Sequence, residues 1–129
     1  MSIEKADIKY DSKDNIIVVK ALVEGRKETM IQTFNQISEL SEIENCKNVL
    51  INATKTIKLP PIWNLHTFGT FMSKQALKLM KMRLAFTITD EISNDFRFLD
   101  NVLANRMVNF HIFKNVAEAE DWLLNKEYL

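Results

Sequence analysis

Gly25 and Gly69 are the only glycines in 129 residues, and that scarcity excludes a whole class of chemistry. A GxGxxG fingerprint or a Walker loop needs several glycines in one short run so that backbone amides can approach a phosphate. Nucleotide and dinucleotide binding are therefore disfavoured, and no cofactor is expected. The single cysteine, Cys46, has no partner for an internal disulfide and no CxxC companion for zinc, so it reads as a reduced cytosolic thiol. Two histidines, His66 and His111, make a poor metal set. Neither has a serine on a sharp strand-to-helix turn, which a Ser-His-acid triad requires. An excess of one charge is also missing. Lys plus Arg and Asp plus Glu are both 17, which leaves no electrostatic footprint for nucleic acid or an anionic membrane surface. No window approaches the roughly 18 apolar residues of a membrane span, and MSIEKADIKY has no apolar h-region of a signal peptide. The expectation is a non-enzymatic, soluble, cytoplasmic protein without nucleic acid or integral membrane association.

What the chain does contain is enough apolar sequence, 47% against 26% charged, for one globular domain over residues 1–129. Ile3 to Tyr10 and Asn15 to Glu24 read as strands, joined through the polar cluster Asp11-Ser-Lys-Asp-Asn15 as an antiparallel hairpin. From Lys27 to about Ser41, Met30, Ile31, Phe34, Ile37 and Leu40 recur at three and four, one face of an amphipathic helix. NVLINA (48–53) is short, apolar and fit for a buried central strand. Pro60 and Pro61 favour the start of a second helix running to about Met82. RLAFTIT (83–89) reads as a strand, 94–107 as a helix with Phe96, Leu99, Leu103 and Met107 on one side, and NFHIF (109–113) as a last strand. Asn115 with Glu118 forms a capping box for a final helix whose buried stripe is Val116, Ala119 and Leu123, with Trp122 beside it.

Three strand-helix-strand units in a row imply an α/β domain: a mostly parallel sheet of about five strands, opened by an antiparallel hairpin, with four helices. Functional loops in such sheets lie beyond the carboxyl ends of the strands, here Gly25 to Lys27, Thr54 to Pro61, Asp90 to Asn94 and Lys114 to Asn115. Within the strand NFHIF, His111 reads as a structural residue rather than a base. Glu118, Glu120 and Asp121 belong to the first turn of a capped helix, where the dipole favours them, and need no metal. Asn52-Ala53-Thr54 fits a glycosylation sequon, which carries no weight without a secretory signal.

RLAFTITD, followed by NDFRFLDNVLANRMVNFHIFKNVAEAEDWL, resembles the C-terminal half of the SpoIIAA-like family related to STAS domains. That family closes with a strand, a helix, a short strand ending in Phe and an "EA..WL" helix, matched here by Phe113, Glu118, Ala119, Trp122 and Leu123. The element order of nearly the whole chain agrees with it. The resemblance implies a small regulatory or binding domain with signalling character, similar in architecture also to CRAL-TRIO lipid-binding domains. Anti-sigma-factor antagonists of the wider group carry a phosphorylatable serine after the central strand. This chain has Asn52-Ala53-Thr54-Lys55-Thr56 there, so the partner-switch serine is missing and Thr54 and Thr56 are the candidate phosphoregulatory positions.

The stretch PPIWNLHTFGTFM (60–72) holds the remaining candidates. Wound at about 100° per residue, Ile62, Leu65, Phe68, Gly69, Met72, Ala76, Leu79 and Met80 share one arc about 120° wide, the width of ordinary core packing. Trp63 falls outside it with Thr67, Thr70 and Lys74, His66 lies at its edge, and Phe71 sits nearly opposite its centre. These six residues are the expected partner or ligand surface, since apolar residues in excess of a core commonly mark an interface. Two functions follow. In the first, the domain docks a protein partner or forms a homodimer through this helix. In the second, the helix lifts from the sheet to admit an apolar or lipid-like ligand, with Met72, Met80 and Met82 as adaptable lining.

Overall fold

A computed structural model describes residues 6–21, 27–55, 81–88 and 109–124, together with Thr67, Thr70, Lys74 and Arg97 as isolated helical positions. Strands β1 (Asp7–Asp11), β2 (Ile16–Lys20), β3 (Asn48–Ala53), β4 (Arg83–Ile88) and β5 (Asn109–Phe113) form one sheet with helices α1 (Lys27–Glu44) and α2 (Val116–Leu124). The strands lie in the order β1-β2-β3-β4-β5. Only β1 and β2 are antiparallel, and every later pair is parallel. The α/β class, the five strands and the opening hairpin agree with the sequence. Two of the four expected helices, after Pro61 and over 94–107, fall outside the described residues apart from their isolated helical positions. No helix among the described residues is long and apolar enough to cross a membrane.

Residues 12–15 form the turn of the hairpin, and it is held at both ends. Asp11 Oδ1 accepts from the Lys13 N–H at 3.0 Å, and Tyr10 Oη donates to Asn15 Oδ1 at 2.7 Å. Asn15 occupies the left-handed region at φ 55°, which Asn tolerates better than most non-glycine residues.

Helix α1 runs to Glu44, three residues beyond the expected end at Ser41. Asn45 stops it, at φ 49°. The Cys46 N–H bonds the Ser41 carbonyl at 3.0 Å and the Asn45 N–H reaches the Glu42 carbonyl at 3.4 Å. This is the Schellman arrangement with Asn where Gly is commoner. Ser41 Oγ adds a short hydrogen bond to the Cys46 carbonyl, tying the helix end to the entry of β3.

The sheet has two unlike faces, because alternate residues point to opposite sides. On the first face, Ile17, Val19, Val49, Ile51, Ala53, Leu84, Ile88 and Phe110 join Phe34 and Ile37 of α1 in one core. Met30, Ile31 and Leu40 pack against it half-buried, so the predicted stripe of α1 is the face it uses. Met82, considered above as ligand lining, is 3% exposed and belongs to this core. On the second face, Ile16, Leu50 and Ala85 meet Ala119, Trp122 and Leu123 of α2. The start of α2 is fixed by Asn115 Oδ1, which accepts from the Glu118 N–H at 2.8 Å.

A buried cation fixes the other end of α2. Arg83, 6% exposed, donates from Nη1 to the Leu123 carbonyl at 3.0 Å and from Nη2 to the Trp122 carbonyl at 2.6 Å. Its guanidinium carbon stands 4.2 Å from the centre of the Trp122 ring. The last carbonyls of a helix lack intrahelical donors and carry the negative end of its dipole, so a guanidinium fork satisfies both at once. Desolvation lowers the Arg83 pKa from its ordinary value.

Arg83→Ala is expected to cost about 3 kcal/mol, the scale for stripping charged hydrogen bonds from buried groups. Urea denaturation measures the cost, and near-UV circular dichroism reports loss of the fixed Trp122 environment. A cost under about 0.5 kcal/mol, the range of ordinary surface changes, would mean that α2 is held in place by other contacts.

Candidate functional site

The carboxyl ends of β2, β3 and β4 bring Lys20, Asn52 and Thr87 into register. Asn52 is the hub. Its Oδ1 accepts from the Thr54 N–H at 3.1 Å, from Thr54 Oγ1 at 2.6 Å and from Thr87 Oγ1 at 3.2 Å. Its backbone carbonyl accepts from the Ala21 N–H at 3.0 Å. Three donors on one oxygen fix the carboxamide and close the chain into an Asx turn as it leaves β3. Thr54, a candidate for phosphoregulation, is half-buried and its hydroxyl is spent on this turn. An amide oxygen is a poor base, so this contact does not activate Thr54 as a nucleophile. Thr56 lies outside the described residues.

Of the six residues expected to form a partner or ligand surface, Thr67, Thr70 and Lys74 are helical and exposed. Their spacing of three and four puts them on one stripe of a helix. Trp63, His66 and Phe71 lie outside the described residues, as do Met72 and Met80.

His111 occupies β5, as expected, with its side chain exposed in a groove. Its ring centre lies 4.7 Å from that of Trp122, and Phe113 completes the cluster at 5.7 Å from Trp122. Glu118 and Asp121, both exposed, line the same groove of about 490 Å³. Sequence reasoning assigned these carboxylates to the helix dipole alone and missed the groove, whose walls come from two elements. Among the described residues there is no group of three or more metal-ligating side chains.

Cys46 is wholly buried, with Sγ 3.2 Å from the Asn15 carbonyl and 3.4 Å from the Asn48 carbonyl. Its one proton is shared between these acceptors. Burial first, with a smaller contribution from Glu44, raises the thiol pKa against the opposing backbone hydrogen bonds. A buried neutral thiol is an inert structural group.

No family model, curated protein or solved structure matches the chain.

Two outcomes follow. Asn52→Ala leaves the fully buried Thr87 hydroxyl without its acceptor and is expected to cost about 2 kcal/mol. Adding Thr87→Val should recover part of that loss, and strictly additive losses by urea denaturation would refute the network. For Cys46, whose folded pKa is raised, the stabilising contribution is complete below the unfolded thiol value of about 8.5 and fades as pH rises through the folded one. Stability should therefore fall more steeply above that pH in the native chain than in Cys46→Ala. Parallel urea midpoints from neutral pH upward would contradict this.

Proposed function

We propose that this chain is a non-enzymatic regulatory domain that docks a protein partner, or a second copy of itself, through the helix after Pro61. The observation that carries the reading is the exposed helical stripe Thr67, Thr70 and Lys74. Winding the sequence at about 100° per residue puts Trp63 on the same stripe, and a tryptophan beside small polar side chains is a common anchor of protein interfaces.

A SpoIIAA-like fold with STAS-type regulation is the finer form of the proposal. Its support is topological. The strands succeed one another across the sheet in chain order, and the domain closes with β5 ending in Phe113 and with Glu118, Ala119, Trp122 and Leu123 on α2. That architecture calls for helices over 62–82 and 94–107, and Thr67, Thr70, Lys74 and Arg97 are helical positions within those spans. Regulation in this reading does not run through Thr54, whose hydroxyl has a structural use.

Loss of a tryptophan anchor costs an interface 2 kcal/mol or more, about thirtyfold in affinity. Trp63→Ala should therefore shift self-association, or capture of the partner, by that factor in light scattering. Lys74→Glu, at an exposed helical position, should do the same without disturbing the fold. Unchanged association in both variants would sink the proposal.

A further inference from the structure

The groove on the second face of the sheet lies at the end of the domain away from the hairpin. β5 is an outer strand of the sheet, with β4 as its neighbour among the described residues. Helix α2 packs chiefly over β3 and β4 and less over β5, so the side chains of β5 on that face are only partly covered. Asn109 and His111 are exposed and Phe113 is half-buried. Glu118 and Asp121 of α2 stand along the groove, and neither has an ion-pair partner among the described residues. The site therefore joins a strand edge that no described residue pairs, an aromatic floor and two carboxylates without an ion-pair partner among the described residues.

Each component selects a property of the occupant. An open edge offers unpaired backbone donors and acceptors to an extended chain. A strand added about 4.8 Å outside β5 sends every second side chain onto the face of Asn109, His111 and Phe113. A cation at such a position meets aromatic rings, which attract ammonium and guanidinium groups, and carboxylates, which pair with them. Anionic or purely apolar segments lose the second interaction.

The chain's own edges fit badly. A second β5 brings Asn109, His111 and Phe113 with no cation on that face, and brings its own Glu118 and Asp121 towards the first pair. The other outer strand, β1, presents Asp7, Lys9 and Asp11 on this face, and its single cation already lies 3.9 Å from Asp7. Like charges facing each other across an added strand are destabilising. The charge pattern selects a different and basic chain.

We propose that the groove between β5 and α2 binds an extended basic segment of another protein, which adds as a strand to β5 and lays a lysine or arginine over His111 and Phe113 beside Glu118 and Asp121. Its lining residues are other than those of the stripe after Pro61.

The probe is a fluorescent ten-residue peptide of alternating threonine and arginine, titrated into the full chain and followed by anisotropy. Saturable binding is expected. The double substitution Glu118→Gln, Asp121→Asn should weaken it about fivefold, the effect of two exposed ion pairs. N-methylation of alternate peptide amides, which keeps the charge and removes the strand's hydrogen bonds, should abolish it. Trp63→Ala should leave it unchanged, which separates this test from that of the docking helix. The proposal is overturned if the arginine peptide does not bind, or if a threonine-glutamate peptide binds as well. Equal binding by the N-methylated peptide or by spermine would also overturn it, as would unaltered affinity in the double variant.

Discussion

The second face of the sheet depends on one buried guanidinium. A charge taken out of water is costly unless its donors find acceptors, and the acceptors that Arg83 finds are the terminal carbonyls of α2. That requirement ties the start of β4 to the end of the last helix. The Trp122 ring, stacked on the same guanidinium, is thereby fixed in position. His111 and Phe113 then pack against Trp122, so the aromatic floor of the groove follows from the placement of one cation. Arg83 Nε has no hydrogen-bond partner among the described residues, and the neighbouring aromatic face partly offsets that deficit.

The two faces divide the work. The first is apolar on every strand and takes α1 through a wide hydrophobic stripe, which supplies non-directional stabilisation. Among the described residues the second has fewer buried apolar side chains and adds specific contacts: the N-cap at Asn115, the fork of Arg83 and the hub at Asn52. A helix held by a few directed bonds at its ends can lie off the centre of the sheet. Here that leaves β5 with one face half open, and the carboxylates of α2 beside it.

Much of the fold was legible because it rests on local patterns. The apolar runs of β2, β3 and β4, the three-four spacing of Phe34 and Ile37 and the Asn115–Glu118 pair each announce an element within a few residues. The end of α1 was less legible. Ser41 ends the apolar stripe, but the helix continues until Asn45 can adopt a left-handed conformation, and backbone geometry rather than hydrophobicity decides that point. The candidate site was legible only in part. The outward stripe of Thr67, Thr70 and Lys74 follows from helical winding, whereas Asn52 and Thr87, 35 residues apart, meet only because β3 and β4 are paired. Nor does RLAFTIT reveal Arg83 as buried, because an arginine opening a strand reads as its solvent-facing end.

By itself the sequence determined the class of the fold, the polarity of its hairpin, and which side of α1 faces the core, since these depend on periodicity and turn chemistry over short stretches. Its scarce glycine, single cysteine and balanced charge are the grounds for expecting no nucleotide cradle, no internal disulfide and no basic footprint. Only the tertiary structure decided that Arg83 is a buried cap rather than a surface charge, that Thr54 is a turn donor, and that His111 lines a groove with Glu118 and Asp121. Those outcomes depend on strand order, register and the placement of α2, which bring together residues that no local pattern connects.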